Sequence, residues 1–288
     1  MTKELYVTDE GFSIDVAESY AYRGEGLACL VIQSSEDRDI HLSEIRTCSD
    51  FSVSDPETTF EFRGWIYSLY QESDDAVYVA HSGKVLRYGP HDEPEPVLEV
   101  TADITKLCAS SSGVWIVGLD AYVAHFDGTT LKELPLPDVE KIFTVSEAKD
   151  GTVFAAGAAG ALFRLDGNQW VRIELGLGQD IFRLVAKSKD ELLLAGELGL
   201  CGHYRGEQLQ LFEADAEVNF RAIAEFKGKV YVGAGHLGLY LVEDGEVIEF
   251  KDNIYTFHLQ ATEDYLVAAG FNEIARFDGD SWLAAEFT

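Results

Sequence analysis

Residues 152–173, TVFAAGAAGALFRLDGNQWVRI, contain three strand-like runs separated by two glycine turns. The runs 152–156, 161–165 and 169–173 are rich in β-branched and aromatic residues, which favour strands. Asp166-Gly167 between two of them is typical of a tight hairpin, because both residues tolerate a positive φ. With a further apolar run at 142–146, the stretch predicts four consecutive antiparallel strands.

The same pattern recurs about every 39 residues. Its first glycine follows alanine or valine and stands at Gly118, Gly157, Gly196, Gly235 and Gly270. Its second glycine follows a polar residue and stands at Gly128, Gly167, Gly206, Gly245 and Gly279. Four short strands per unit of about 40 residues are typical of a propeller blade, whereas alternating strands and helices would indicate βαβ units. The sequence therefore predicts an all-β fold, a single β-propeller domain spanning residues 1–288.

The number of blades follows from counting back along the chain. Residues 65–100 and 104–136 predict two further blades, so residues 63–288 hold the regular ones. Residues 1–62 are less regular, with one strand pair at 27–32 and 40–45, and predict an irregular first blade. Seven four-stranded blades are expected, with six blades plus an N-terminal extension as the alternative. Because the chain ends in an outer strand at 281–285, ring closure should depend on residues 5–8 or 12–16 packing beside the last blade.

The Gly157-Ala-Ala-Gly160 turn followed by Asp166-Gly167 resembles the blades of a broad superfamily, the YVTN, WD40 and BNR-type propellers, and in particular bacterial members. The resemblance covers residues from about 65 to 288. The Gly-His and Trp-Asp pairs of true WD40 repeats are absent, and so is a complete Asp-box. The resemblance therefore implies an architecture and no activity.

The net charge is −29, from 51 acidic against 22 basic residues spread along the chain. A field of this sign repels nucleic acid and anionic membranes and attracts cationic partners. The first residues lack the basic and apolar regions of a signal peptide, and no apolar run approaches the roughly 18 residues of a membrane span. Three of the four cysteines lie in apolar strand-like runs, which favours buried thiols and a reducing compartment. We expect a cytoplasmic protein without a nucleic-acid or membrane partner.

In a propeller, the turns between the second and third strands and the starts of the first strands converge around the central channel, where function concentrates. At these positions the side chains differ from blade to blade while the frame stays constant, as a binding surface requires. The candidate binding residues are Asp120, Asp180, Arg183, Glu197, Asn219, Arg221, His236, Asn253, Phe271, Asn272 and Glu273. The glycine spacing places Phe182 and Phe220 at equivalent positions, where we expect both to be core between blades.

One pair of residues is a candidate for chemistry. The glycine spacing puts Glu197 and His236 in equivalent turns of neighbouring blades, and a carboxylate beside an imidazole is the minimal general acid–base unit. Propeller lyases use His and Glu on this face. The dispersed histidines, and an Asp278-Gly-Asp280 segment with too few oxygen ligands for calcium, predict no metal, and no cofactor motif is present.

The leading hypothesis is a non-catalytic protein-binding propeller whose negative field steers a basic partner. Acidic bacterial proteins of this size without a signal sequence include immunity proteins, so the finer hypothesis is an immunity protein that neutralises a cationic toxin such as a nuclease. The alternatives are a lyase-like enzyme using Glu197 and His236, and an assembly or scaffolding factor with an apolar patch near residues 90–96.

Overall fold

Antiparallel pairing joins each strand only to its neighbours in sequence. The computed structural model describes residues 12–22, 26–35, 41–48, 57–73, 76–81, 83–88 and 95–286. Within these residues, 28 strands form seven separate four-stranded sheets. Each sheet is one blade, whose strands are called A to D from the channel outward. The prediction of an all-β propeller with seven blades is confirmed.

The blades follow one another along the chain. Blade 1 consists of β1 (Phe12–Tyr22), β2 (Gly26–Ser35), β3 (His41–Cys48) and β4 (Glu57–Arg63), and blade 2 of β5 (Ser68–Ser73), β6 (Ala76–His81), β7 (Lys84–Tyr88) and β8 (Glu95–Glu99). Blade 3 consists of β9 (Ile104–Ser110), β10 (Gly113–Gly118), β11 (Val123–Phe126) and β12 (Leu131–Glu133). Blade 4 consists of β13 (Ile142–Glu147), β14 (Val153–Gly157), β15 (Leu162–Asp166) and β16 (Gln169–Arg172), with a 3₁₀ turn at Ala158–Gly160.

The remaining three blades repeat this order. Blade 5 consists of β17 (Ile181–Ser188), β18 (Glu191–Gly196), β19 (Cys201–Arg205) and β20 (Gln208–Leu211). Blade 6 consists of β21 (Ala222–Phe226), β22 (Lys229–Gly233), β23 (Leu239–Glu243) and β24 (Glu246–Lys251). Blade 7 consists of β25 (His258–Ala261), β26 (Leu266–Gly270), β27 (Glu273–Phe277) and β28 (Trp282–Glu286). Among the described residues, no helix is long and apolar enough to cross a membrane.

Blade 1 is a complete four-stranded sheet. The predicted strand pair at 27–32 and 40–45 corresponds to β2 and β3, and β1 and β4 flank it. The alternative of six blades with an N-terminal extension is therefore wrong. The B–C and C–D connections of blade 1, residues 36–40 and 49–56, contain no glycine, so the repeat pattern did not reveal β1 and β4.

The core lies between blades, because the side chains of a strand alternate between its two faces. In β14 every residue is buried. Phe154 and Ala156 pack with Leu184 and Leu192 of blade 5. Ala155, between them in sequence, packs in the cluster that joins blade 4 to blade 3. A strand buried on both faces must be apolar throughout, which explains its unbroken apolar sequence.

Ring closure does not involve an exchanged strand. β1, the inner strand of blade 1, packs against β25 and β26 of blade 7 on one side and against β5 of blade 2 on the other. Residues 12–16 lie in β1, as one of the two predictions requires, and residues 5–8 lie outside the described residues. Face-to-face packing of the first and last blades therefore closes the ring.

We expect deletion of residues 1–20 to lower the thermal unfolding midpoint by about 10 °C or more, because it removes most of β1 and exposes the inner faces of blades 2 and 7. Differential scanning calorimetry of the full-length and truncated chains measures the change. An unchanged midpoint would show that closure does not depend on β1.

Candidate functional site

One face of the ring, called the top face, carries the B–C turns and the D-to-A connections between blades. The opposite bottom face carries the A–B and C–D hairpins, because antiparallel strands alternate in direction. All the sequence-predicted binding residues lie in B–C turns, in D-to-A connections or at strand ends next to them. The top face therefore holds the whole predicted set, although some of these side chains bond to the backbone and others are exposed.

Asp180 and Asn219 fasten neighbouring blades together. The Asp180 carboxylate in the connection to blade 5 accepts a hydrogen bond of 2.9 Å from the N–H of Ala159 in the turn of blade 4. The Asn219 side-chain oxygen accepts the same bond, also 2.9 Å, from Leu198 in the turn of blade 5. Ala159 and Leu198 both have a φ of 52°, which is unusual for residues other than glycine. These two polar side chains hold strained turns in place, and so they form part of the frame.

Glu197 and Glu273 fasten each turn to its own blade. The buried Glu273 carboxylate accepts a hydrogen bond of 3.0 Å from the N–H of Tyr255, and Glu197 makes a longer contact of 3.5 Å with the N–H of Asp180. Both carboxylates thus satisfy a backbone donor where strand A begins.

Glu197 and His236 do not form a pair. The hydrogen bond that closes the B–C turn starts at Gly196 in blade 5 but at Ala234 in blade 6. Glu197 is therefore one residue past that point and His236 two, so the two are not equivalent as the glycine spacing had indicated. No hydrogen bond or ion pair joins them in the described part of the chain. His236 is exposed, as are Asp120 and Asn253, whereas Asn272 is half-buried.

The structure also separates Phe182 from Phe220. Phe220 is 1% exposed and is core, as predicted. Phe182 is half-buried at the channel mouth, where a register shift between Ile181 and Arg183 leaves it outside the ladder of blade 5. Such a bulge re-aims a side chain. The counterpart of Phe182 in blade 6 is Arg221, whose guanidinium lies 4.6 Å from the centre of the Phe182 ring.

The positions equivalent to Phe182 form a rim around the channel mouth, which we call the collar. The register places one residue from each of blades 2 to 7 in it. The collar consists of Tyr67, Thr105, Phe143, Phe182, Arg221 and Phe257. Phe143 and Phe182 of neighbouring blades meet edge to face with their ring centres 5.6 Å apart, and the ring centres of Phe257 and Phe271 lie 5.4 Å apart. Phe271 also contacts Tyr255 at 4.3 Å, so the aromatic surface extends outward over blade 7.

Below the collar, the channel opens into a cavity of about 470 Å³ between the A strands. The residue that follows each collar residue lines it in five blades: these are Lys106, Thr144, Arg183, Ala222 and His258. Arg183 donates a hydrogen bond of 2.9 Å to the carbonyl oxygen of Phe182. Of the described residues at this level of the cavity, two carry a cationic side chain and one an imidazole.

Glu147, at the bottom end of β13, lies in a serine–histidine–glutamate cluster. Its carboxylate accepts hydrogen bonds from Ser110 at 2.7 Å, Trp115 at 2.9 Å and Ser111. Burial opposes its ionisation, but the bonds from Ser111, Trp115 and Ser110 outweigh burial and hold the pKa of Glu147 below its usual value. Ser110 also contacts His125 Nε2 at 3.0 Å. Since the carboxylate binds the serine rather than the imidazole, the cluster lacks the arrangement of a catalytic triad and ties blade 3 to blade 4.

The other candidate chemistry lies in the thiols and in metal sites. Cys108 and Cys201 are free and buried, as predicted for strand cysteines, and burial raises the pKa of Cys201 to about 12. Across the described ranges, no three His, Cys, Asp or Glu side chains come together as metal ligands would.

No protein-family model and no curated protein sequence matches the chain. Solved structures do. The WD40 propeller domain of Doa1 superposes with a TM-score of 0.72 at 10% identity, covering 92% of this chain and 93% of that one. This chain has a WD40-like propeller architecture. Sqt1 of Saccharomyces cerevisiae superposes with a TM-score of 0.63 at 13% identity, covering 88% of this chain and 82% of that one. YCF48 bound to D1 peptide superposes with a TM-score of 0.63 at 9% identity, covering 99% of this chain and 98% of that one. At these identities the likeness shows the fold alone.

The exposed apolar side chains of this WD40-like propeller are unevenly distributed. Of the eleven large ones in the described residues, six lie on the top face, five lie on outer D strands and none lies in a bottom-face hairpin. The top-face set, called the apolar belt, consists of Trp65, Tyr67, Leu119, Leu198, Leu237 and Phe257. The predictions from sequence omitted all six. The sequence feature that could have revealed the leucines is their place in a tight turn, as in Gly196-Glu-Leu-Gly199, where a polar residue is usual.

We expect Asp180→Ala to lower the free energy of unfolding by about 1 to 2 kcal/mol, because it leaves the N–H of Ala159 without its acceptor. Asp180→Asn is the matched control, since Asn219 makes the same bond in the next blade, and it should cost less than about 0.5 kcal/mol. Urea unfolding of the three proteins measures both effects. Equal losses in the two variants would indicate that the charge of Asp180, rather than the hydrogen bond, stabilises the turn.

Proposed function

We propose that this propeller is a non-catalytic binding protein whose top face docks another protein. The apolar belt is the observation that carries the proposal. Its side chains come from five of the seven blades and encircle the channel mouth, and exposed apolar residues gathered on one face mark interaction sites. Two aromatic pairs at the channel mouth, Phe143 with Phe182 and Phe257 with Phe271, supply large rigid side chains of the kind that is enriched where binding energy concentrates.

The charge of the same face favours a basic partner. Exposed carboxylates lie in the turns and connections of the same face: Asp103, Asp120, Asp138, Glu140, Glu217 and Asp252. Apolar and acidic groups on one face complement a partner that presents apolar and cationic groups together. The net charge of −29 adds long-range attraction for such a partner.

The finer proposal is that the protein is a cytoplasmic immunity protein and that its partner is a cationic toxin such as a nuclease. A nuclease must present cations to bind phosphates, and a carboxylate-rich face that covers those cations blocks substrate access. The acidic top face supports this choice. The structure of YCF48, which shares this fold, is of that protein bound to D1 peptide, and this supports the general ability of a propeller of this size to hold a segment of a second protein.

The geometry favours binding over the enzymatic alternative. Glu197 contacts the backbone of its own blade, and His236 lies at a different turn position in the next blade, so the general acid–base arrangement is not assembled. The patch expected of an assembly factor near residues 90–96 falls largely outside the described residues, and no other observation favours that role.

We expect the double variant Leu119→Ser, Leu198→Ser to lose at least tenfold in affinity for the partner, because it removes belt side chains from two blades. The matched control is Val171→Ser, Leu283→Ser. These outer-strand residues are 44% and 47% exposed, against 49% and 53% for the belt pair, and the control should bind as the wild type does.

The partner is obtained by capture from native cell lysate on the immobilised protein and identified by mass spectrometry. Affinities of the purified partner for the three proteins are then measured at 50 and 500 mM salt. A basic partner that binds less tightly at high salt and is sensitive only to the belt variant is the expected result. Equal losses in both double variants, or an acidic partner indifferent to salt, would contradict the proposal.

A further inference from the structure

A small apolar pocket, which we call the notch, opens on the top face of blade 5. Its volume is about 250 Å³, and all its lining residues lie in the continuously described range 95–286. Leu198 of the belt and Leu211 at the end of β20 line it and are 53% and 50% exposed, whereas Leu200, which also lines it, is buried. The other lining residues are Gln179, Gly199, Cys201, Phe212, Glu213 and Ala214.

Backbone hydrogen bonds hold the walls of the notch in place. The N–H of Gly199 in the B–C turn donates to the carbonyl oxygen of Val218 at 2.6 Å, and the N–H of Phe212 donates to that of Cys201 at 2.9 Å. The connection from blade 5 to blade 6 is thereby attached both to the turn that carries Leu198 and to strand C. A pocket whose walls are already ordered loses little conformational entropy when a ligand enters it.

The volume of the notch indicates which class of ligand it takes. Pockets for small molecules typically measure about 300 to 1,000 Å³, and the notch is smaller. Apolar pockets at protein interfaces are filled by single side chains of the partner, most often aromatic ones. An aromatic side chain brings a large apolar area with few rotatable bonds, and the leucine side chains and Phe212 provide a matching surface.

Acidic residues border the notch. Glu213 lines it, Asp215 and Glu217 follow in the same connection, and all three are exposed. The hydrogen bond from Gly199 to Val218 holds this acidic segment beside the notch. Within the described part of the chain, no lysine or arginine forms an ion pair with any of the three acids. Their charge therefore favours a cationic residue next to the side chain that fills the notch.

We propose that the notch is the anchor pocket of the top face, and that it binds an aromatic side chain of the partner with a lysine or arginine beside it in sequence. The aromatic ring lies between Leu198 and Leu211, and the neighbouring cation lies toward Glu213 and Glu217. This inference rests on the proposed function, which it narrows from a basic partner to one that presents such a segment. The other belt residues then surround a fixed point of contact and exclude water from it.

The notch is tested with three synthetic peptides, acetyl-Lys-Phe-Arg-amide, acetyl-Lys-Ala-Arg-amide and acetyl-Glu-Phe-Glu-amide. Binding is measured by NMR titration of protein with isotope-labelled leucine methyl groups. With the first peptide we expect saturable shifts of the Leu198, Leu200 and Leu211 signals, and no shift of the Leu119 signal in blade 3. The other two peptides should bind at least tenfold more weakly, because one lacks the ring and the other lacks the cations.

Leu211→Ser should weaken binding of the first peptide at least tenfold. Leu283→Ser is the matched control, because Leu283 is also a leucine of an outer D strand, 47% exposed against 50% for Leu211, and does not line the notch; it should bind as the wild type does. Ala214→Phe places a ring in the notch and should cause the same loss as Leu211→Ser. Circular dichroism checks that each variant folds, and either notch variant alone is sufficient for the test.

Equal affinity for the three peptides would overturn the inference, and so would full binding by a folded notch variant. The captured protein partner separates the inference from the proposed function. A partner that loses affinity for the belt variant Leu119→Ser, Leu237→Ser but binds both notch variants as it binds the wild type would overturn the notch alone. Selective binding of the first peptide, together with a partner that is insensitive to the belt variant, would contradict the proposed function and support the notch.

Discussion

Face-to-face packing of the blades is the constraint on which the rest of the structure depends. Each inner blade surface must bury its side chains against the next blade, as Phe154 and Ala155 do on opposite faces of β14. A strand packed on both faces has no room for an unpaired polar group, because burial without a hydrogen bond costs free energy. A polar side chain inside such a strand needs a partner, as the buried Glu44 and Arg46 of β3 have in each other at 2.7 Å, so a search for function begins at strand ends, turns and the channel.

A close backbone approach keeps the strand ends in register on the top face. In blades 4 and 5 the glycine that ends strand B, Gly157 or Gly196, lies so near the start of strand A that a Cβ atom would overlap the carbonyl oxygen of Lys141 or Asp180. The same two blades carry the register shifts that place Phe143 and Phe182 in the collar. The repeated glycine is thus a packing requirement, and the aromatic rim is a consequence of the geometry that it permits.

The sequence predicted the architecture well because glycine spacing reports turns, and turns define blades. Blade 1 was only half recognised, since its B–C and C–D connections contain no glycine. The strand register at the top face could not be predicted from the glycine spacing. In blade 6 the hydrogen bond that closes the B–C turn starts at Ala234, one residue before the repeated glycine, whereas in blade 5 it starts at the glycine itself. Glu197 and His236 therefore occupy different turn positions. Asp180 and Asn219 were predicted as binding residues, and in the structure each accepts a hydrogen bond from a neighbouring turn. A polar residue beside a turn has the same appearance in both roles. The apolar belt was missed for the converse reason, since an apolar residue in a sequence is first assigned to the core.

The aromatic side chains of the top face form one continuous surface. Tyr67 and Phe257 belong both to the belt and to the collar, so a protein docked on the belt would also cover part of the channel mouth. The contacts of Phe271 with Phe257 and Tyr255 extend this surface outward over blade 7. A partner that rests on the belt therefore finds apolar contact beyond the mouth, and it need not enter the channel to gain that contact.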